Sequence, residues 1–370
     1  MQNMFIAIAL ITLLLYFSAV YYIGWSGWRW IKPWTSSRKF KYAYAMILAL
    51  AAASFIIGQI ADYKIISMVG AYWMAVLYLL IIIMPLAQIT VKLLQFTRLR
   101  HESTQTWAAL AAVLLLISMM AYGTVQAYSP VVRSYAVAVE VENPGMPIDS
   151  LNIAMAADMH FGFLSGHDHA IRMVREINKL KPDLVLFPGD IFDDDIRPYI
   201  DQEIGDIIKG IEAPYGVYAS LGNHDKHKGT IQELIGLLEQ SNVNVLYDEA
   251  ITIHEAFTLV GRKDRSDSPR AELSTLIEET STPIILLDHQ PYDLDSAEQH
   301  GVDVMVSGHT HRGQIFPGNL LTQAIYENDW GYLQKGRMHS IVTSGYGFWG
   351  PPIRIGTRSE IVEIKVSFFK

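Results

Sequence analysis

The chain has 370 residues, of which 51% are hydrophobic and only 18% charged, and its formal net charge is −8. This composition is too apolar for an ordinary soluble protein of that length, so the excess of apolar residues must be concentrated in one part of the chain. The acidic balance of the C-terminal part argues against non-specific binding to nucleic acid, and the absence of cysteine excludes disulfides, thiolate zinc sites and a cysteine nucleophile.

Charge divides the chain into two parts. Residues 1–128 contain nine Lys/Arg against two acidic residues, whereas residues 129–370 contain 20 Lys/Arg against 35 Asp/Glu. We predict a transmembrane region over residues 1–128, a short linker with a first strand over 129–150, and a soluble domain over 151–370. Some carboxylates of the acidic part are candidates to hold cations.

Four apolar stretches in the first part are long enough to cross a bilayer, which takes about 20 residues of helix. A buried core helix is the alternative interpretation, but core helices are seldom this long without a charge, and here four occur in series. The sequence therefore predicts four transmembrane helices with the lipid bilayer as their partner, over residues 4–24, 43–61, 66–90 and 107–127.

Lys and Arg in the loops predict the orientation. Five of them lie between the first and second spans and three between the third and fourth, whereas the second loop offers only Lys64 and the segment after the last span only Arg133. Positively charged loops stay in the cytoplasm. We therefore expect a multi-pass protein of the cell membrane, with both the N-terminus and the soluble domain outside the cytoplasm.

The soluble part alternates short apolar runs, typical of buried strands, with segments whose apolar residues recur every three or four positions, typical of helices. This alternation indicates an α/β architecture with polar residues gathered where strands end. The predicted helices cover residues 169–180, 231–240 and 271–279. The predicted strands cover residues 135–142, 151–157, 183–187, 216–221, 257–261, 283–287, 302–307, 340–344 and 361–369.

Five of these strands are followed by residues of the types that bind metals. Strand ends at one edge of a sheet converge, so five such loops can build one concave site. A spacing of two residues directs both side chains the same way in extended chain, and glycines at 189, 222 and 308 allow sharp turns and close approach. The candidate ligands are Asp158, His160, Asp190, Asn223, His289, His309 and His311.

Mixed imidazole and carboxylate ligands suit zinc, manganese or iron better than calcium or magnesium alone. Two such ions about 3.5 to 4 Å apart can hold the attacking and leaving oxygens of a displacement at phosphorus, and they generate hydroxide at neutral pH. This chemistry needs no protein nucleophile. A single block such as Gly-Asn-His-Asp is more often a capped turn than a metal site, but the joint recurrence of five blocks favours the site.

The five blocks, in their order, resemble those of the calcineurin-like metallophosphoesterases: Asp-x-His, Gly-Asp, Gly-Asn-His-Asp, a lone His and Gly-His-x-His. The resemblance covers residues from about 150 to 370 and implies a four-layer α/β/β/α sandwich. It also implies two divalent ions that share Asp190. The first ion would be bound by Asp158, His160, Asp190 and His311, and the second by Asp190, Asn223, His289 and His309.

The same resemblance implies that His224 protonates the leaving oxygen or stabilises the transition state, oriented by Asp193. Asp194 and Asp195 continue the acidic run, so either of them is an alternative partner. Asp225 is either a turn carboxylate or a second partner of His224.

The blocks around His289 and His309 and the segment 345–354 resemble, more narrowly, a bacterial subgroup of membrane-attached phosphoesterases, whose members act on nucleotide-sugar lipids or other phosphodiesters. Arg312 stands where that subgroup often has Gly. Residues 349–354 are either a surface turn or a loop that contacts substrate, and in the second case Arg354 is the expected phosphate contact.

Together these features predict a membrane-anchored phosphohydrolase that cleaves a phosphodiester, pyrophosphate or phosphomonoester by metal-bound hydroxide. A lipid-linked envelope component is one candidate substrate. The alternative is a sensor, partner-binding or transport module whose metal domain is regulatory. Retention of every ligand argues against a degenerate site, and the absence of a charged residue in the middle of any span argues against transport. The sequence leaves the metal and the oligomeric state open.

Overall fold

The computed structural model describes residues 2–35, 37–60, 63–94, 96, 101–141, 147–225, 230–277 and 282–369. The chain divides into two compact units, Met1–Gly123 with Gly350–Pro352 and Thr124–Trp349 with Ile353–Lys370.

The first unit consists of long apolar helices. Each contains a stretch long and apolar enough to cross a membrane, so the prediction of four such helices is confirmed. Tyr16 links three of them, because its hydroxyl donates to the carbonyl oxygen of Ala52 (2.8 Å) and accepts from Nε1 of Trp73 (3.0 Å). The helices are α1 (Gln2–Ile31), α2 (Arg38–Ile60), α3 (Lys64–Leu94) and α4 (His101–Tyr128), with a 3-10 turn at Lys32–Trp34. The last residues of α4, from Thr124 on, belong to the second unit.

The second unit contains two six-stranded sheets. The first has the strand order β1-β12-β2-β3-β4-β5 and the second β10-β11-β9-β8-β7-β6. Their strands are β1 (Val131–Glu140), β2 (Ser150–Met155), β3 (Leu184–Pro188), β4 (Val217–Ser220), β5 (Val243–Val245), β6 (Glu249–Ile253), β7 (Phe257–Gly261), β8 (Ile284–Leu287), β9 (Val304–Ser307), β10 (Gly331–Lys335), β11 (Met338–Val342) and β12 (Glu360–Phe369).

The helices of this unit cover the outer faces of the two sheets. One apolar core lies between the sheets and includes Ile153, Leu259 and Val306, and further cores separate each sheet from its helices. The predicted α/β/β/α sandwich is therefore confirmed. The helices are α5 (His167–Lys179), α6 (Arg197–Asp201), α7 (Ile204–Ile208), α8 (Ile231–Gln240), α9 (Leu273–Leu276), α10 (Leu294–Gln299) and α11 (Gly318–Ile325), with a 3-10 turn at His311–Gly313.

Some elements differ from the sequence-based expectation. The helix predicted over residues 271–279 is reduced to the single turn α9, and residues 278–281 lie outside the described part. Strand β1 begins three residues after α4 ends and pairs in parallel with β12 along its whole length. The first strand, predicted to begin at residue 135, therefore begins four residues earlier, and the linker before it is correspondingly shorter.

Candidate metal centre

The loops that carry the candidate ligands follow five parallel strands. β2, β3 and β4 are neighbours in the first sheet, and β8 and β9 are neighbours in the second. Each ligand-bearing loop begins within three residues of the end of its strand. Because the carboxyl ends of parallel strands share one edge, the five loops meet there.

One group of ligands comprises Asp158, His160 and His311, which are all buried. The Nε2 atoms of the two histidines lie 3.1 Å apart, and Nε2 of His311 is 3.9 Å from Oδ1 of Asp158. One ligand atom from each residue lies within 4.8 Å of the other two. Such spacing suits three ligands around one cation.

A second group comprises Asp190, His289 and His309, whose ligand atoms also lie within 4.8 Å of one another. Oδ2 of Asp190 is 3.1 Å from Nε2 of His289 and 3.8 Å from Nε2 of His160, which belongs to the first group. The same carboxylate oxygen therefore faces both groups. This is the position that a bridging ligand requires.

Several buried polar atoms here have no hydrogen-bond partner within the described part of the chain, namely Oδ2 of Asp158, Nδ1 of His160 and Oδ1 of Asn223. Nδ1 of His289 lies 2.9 Å from the carbonyl oxygen of Pro188. A donated Nδ1 proton there leaves Nε2 as the coordinating atom. Unpaired buried polar atoms are costly, and mixed nitrogen and oxygen donors suit divalent transition metals. The two groups of three residues fit such cations, and the unpaired Oδ1 of Asn223 is a further oxygen donor of the same loops.

Ionisation of two of the histidines agrees with this fit, and that of a third depends on whether a cation is bound. Burial lowers the pKa of both His160 and His309 to about 4, so these rings are neutral and able to coordinate at pH 7. Burial would also lower the pKa of His289, but the carboxylates of Asp190 and Asp158 raise it to about 10. A proton and a cation therefore compete for the space between His289 and Asp190.

Two glycines let the loops approach one another. A Cβ on Gly222 would lie 2.2 Å from Oδ1 of Asp190, and one on Gly308 would lie 2.6 Å from Oδ2 of Asp158. Any side chain at either position would displace a ligand carboxylate.

The backbone of the ligands departs from the extended chain that the two-residue spacing suggested. Asp158, His160, Asp190, His309 and His311 all have φ between 44° and 71°. This left-handed conformation is unfavourable for residues other than glycine and is typically found where function maintains it. The pairs Asp158/His160 and His309/His311 converge because their loops curl in this way after the strands end.

His224 lies beside the ligands, with its backbone N–H donating to Oδ1 of Asp190 (2.8 Å). Its Nδ1 is 2.9 Å from Oδ1 of Asp194, whereas Asp193 places Oδ1 at 3.7 Å from Nδ1 of His160. The structure therefore pairs His224 with the alternative carboxylate and not with Asp193. Asp195 is occupied elsewhere, in an ion pair with Arg197.

The environment of His224 favours its protonated form. Burial alone would lower the pKa of its imidazole, but the hydrogen bond to Asp194 and the charge of Asp190 raise it to about 9. The ring of Trp349 lies 5.6 Å from that of His224 between centroids. Its loop follows β11, which is parallel to β9 and ends at the same sheet edge.

Two further polar residues hold the ligand loops, and one of them, Arg354, places Nη2 3.2 Å from Nδ1 of His311. Asp225 accepts backbone hydrogen bonds from Phe192 and Gly222, both 2.8 Å, and thereby ties two ligand loops together as a turn carboxylate. Arg354 is fully buried and donates to the carbonyl oxygens of Gly345 and Gly347. The expectation that Arg354 contacts substrate phosphate is therefore wrong, because no solvent reaches its guanidinium group.

Residues 151–313 match the family model for calcineurin-like phosphoesterases. The chain carries a calcineurin-like metallophosphoesterase domain. The matched range begins in β2 and ends just after His311, so it contains all seven candidate ligands.

Three relatives support the domain assignment. An uncharacterized metallophosphoesterase of Helicobacter pylori is 31% identical over 58% of this chain and 60% of its own length. One of Aquifex aeolicus is 29% identical over 68% of this chain and 97% of its own length. A transmembrane protein with metallophosphoesterase domain of Danio rerio is 28% identical over 74% of this chain and 66% of its own length.

The length of these matches has two consequences. Residues 124–370 make up about two thirds of the chain, so the match to the Danio rerio protein extends into the helical unit. The chain spans only about three fifths of the Helicobacter pylori relative, so that protein's name bears on the shared domain and not on the activity of the whole chain.

Proposed function

We propose that this protein is a membrane-anchored phosphohydrolase that uses two divalent metal ions to cleave a phosphodiester, pyrophosphate or phosphomonoester of a lipid-linked envelope component. The observation that carries the proposal is the position of Asp190. Its Oδ2 faces both groups of ligands, and its Oδ1 accepts a hydrogen bond from the backbone N–H of His224. Manganese, zinc and iron are the candidate metals.

In this proposal each ion is held by four residues, as the family pattern implies, with Asp190 shared. Bound there, the ions would polarise the phosphoryl oxygens and lower the pKa of a water molecule. His224 would give a proton to the leaving oxygen, and its raised pKa keeps the imidazole charged at neutral pH. Asp194 would hold that ring in place through Nδ1.

The lipid-linked substrate class is suggested by a short series of contacts. Tyr128 is the last residue of α4, and its ring lies 5.1 Å from that of Phe348 between centroids. The next residue, Trp349, contacts His224. The second unit thus connects the end of the fourth apolar helix to the catalytic histidine through two aromatic contacts. A phosphoester at the surface of a bilayer would be within reach.

The test compares substrates and variants of the full-length protein in detergent. We expect faster cleavage of detergent-solubilised lipid phosphates than of soluble nucleotides, and loss of both activities in Asp190→Ala and His224→Ala. Asp168→Asn is the matched control, since its carboxylate is fully exposed on α5. Unchanged turnover by both site variants would refute the site, and a preference for nucleotides would refute only the substrate class.

We also propose that the metal centre lies outside the cytoplasm, as the Lys/Arg loops indicate. A reporter that is active only outside the cytoplasm, fused after Val131, should be active. An inactive fusion, together with an active cytoplasmic reporter at the same position, would reverse the orientation.

A further inference from the structure

Helix α11 has an exposed apolar face. At about 100° per residue, Leu320, Leu321, Ala324 and Ile325 fall within roughly 140° of the helix circumference. The three large side chains are 56%, 64% and 50% exposed, in that order, and no residue of the helix is buried. A surface helix of a soluble domain normally turns such a face toward the core. In α11 it faces outward.

The polar side of α11 attaches the helix to the domain. Oγ1 of Thr322 donates to Oδ2 of Asp329 (2.8 Å), and the backbone carbonyl of the same aspartate accepts from Oγ1 of Thr310 (2.7 Å), next to the ligand His311. The apolar face is thus presented by a helix held directly against the ligand loop.

Two further exposed aromatic residues lie near the start of α11. Phe316, just before the helix, is 54% exposed and Trp349 is 55% exposed. Gln314, two residues before Phe316, holds the backbone of Trp349 by two hydrogen bonds. Its side chain accepts from the N–H of Trp349 (2.9 Å) and donates to the carbonyl oxygen of Trp349 (3.0 Å). We call these residues the α11 surface: Phe316, Leu320, Leu321, Ile325 and Trp349.

Within the second unit, the α11 surface is connected to the end of α4. Phe348, next to Trp349, packs against the ring of Tyr128. Five residues beyond the end of α11, the ring centroid of Trp330 lies 4.6 Å from the guanidinium carbon of Arg133 and 3.7 Å from that of Arg312. An apolar helix face combined with arginines and tryptophans is the composition of segments that bind membrane interfaces.

We propose that the α11 surface inserts among the acyl chains of the bilayer and forms a second, interfacial membrane anchor. The occupant is the bilayer because it is the apolar phase to which the chain is tethered at Tyr128. Phe316 is only five residues beyond His311, so this insertion would hold the metal centre at the level of the lipid phosphates. The inference rests on the proposed membrane anchoring and not on phosphohydrolase activity.

The absence of cysteine makes a direct test possible. Single cysteines are introduced at Leu321→Cys, at Leu114→Cys in α4 and at Ile251→Cys in β6, apolar positions that are 64%, 65% and 41% exposed, in that order. Each full-length variant carries an environment-sensitive fluorophore in vesicles of phosphatidylcholine and phosphatidylglycerol. Nitroxides on the acyl chains quench labels in the bilayer, and iodide quenches labels in water.

We expect the label at position 321 to behave like the label at 114, with strong quenching by acyl-chain nitroxides and protection from iodide. The label at 251 should show the reverse. If the label at 321 behaves like that at 251 while 114 remains quenched by lipid, the α11 inference is overturned and the anchoring stands. If 114 is also quenched only by iodide, the anchoring itself fails.

Discussion

Nδ1 of His224 lies 2.9 Å from Oδ1 of Asp194, although Asp193 is the residue that the family pattern places in this role. Asp194 has φ of 56°, and this left-handed turn directs its carboxylate toward His224. Asp193 faces His160 instead. The pairing determines which carboxylate holds the imidazole that we propose to be catalytic.

We predict that Asp194→Asn lowers kcat by about 10- to 100-fold, the usual cost of losing the partner that orients a catalytic or ligating histidine. Losing the carboxylate also lowers the pKa of His224, so the alkaline limb of the kcat profile should move to lower pH. Steady-state kinetics across pH would measure both effects.

Asp193→Asn is the matched comparison, because it removes the neighbouring charge without breaking the hydrogen bond to His224. Its alkaline limb should stay closer to that of the wild type. A larger shift for Asp193→Asn than for Asp194→Asn would assign the role to Asp193.

Metal content should depend on which ligand is lost. We predict that His289→Gln retains about one ion per chain, because it affects only the second group, whereas Asp190→Ala retains fewer, because its carboxylate faces both groups. Elemental analysis of protein purified without chelator measures this. Equal metal content in the two variants would argue against a shared ligand.

The loop glycines give a prediction about geometry. Gly222→Ala places a Cβ 2.2 Å from Oδ1 of Asp190, so the carboxylate must move. Because displacements of about 1 Å can cost roughly 100-fold in rate, we expect a loss of that order. Gly236→Ala, in α8, is the control: nothing lies within 4 Å of the added Cβ, and replacing a mid-helix glycine should stabilise the fold by about 0.5 to 1 kcal/mol. Comparable kcat values for the two variants would contradict this geometry.

The elements that could be predicted from the sequence are those whose buried face appears as a regular spacing of apolar residues. Helix α8 was predicted with its observed bounds, Ile231–Gln240, because its apolar residues recur every three or four positions. The candidate ligands could be named because each follows a short apolar strand. These signals are local, and the sheet edge brings them together.

Elements without such a pattern were not predicted. β6 exposes four of its five residues, so it shows no alternation between buried and exposed positions. α11 has an apolar period but buries none of it. The burial of Arg354 could not be foreseen either, because an arginine followed by a turn looks the same in sequence whether its guanidinium meets solvent or backbone carbonyls.

The last prediction concerns His169 on α5, which is only 4% exposed and has no hydrogen-bond partner for either ring nitrogen within the described residues. Its ring packs 4.3 Å from that of Tyr346. Burial lowers the pKa of His169 to about 4, below the value of about 6.5 for an unfolded chain. As the pH falls, the unfolded state therefore binds the proton first. The stabilising contribution of the neutral ring is complete above about pH 6.5 and is lost as the pH falls toward 4.

We expect the titration of His169 to lower the free energy of unfolding by about 2 kcal/mol between pH 7 and pH 5. His169→Phe, which keeps an aromatic ring in the pocket, should lose that share of the pH dependence. Hydrogen exchange of the α5 amides in the full-length protein, corrected for intrinsic rates, measures the free energy at both pH values. The metal ligands titrate in both proteins, so their contribution cancels in the comparison. An identical pH dependence in the two proteins would mean that His169 does not bind a proton on unfolding.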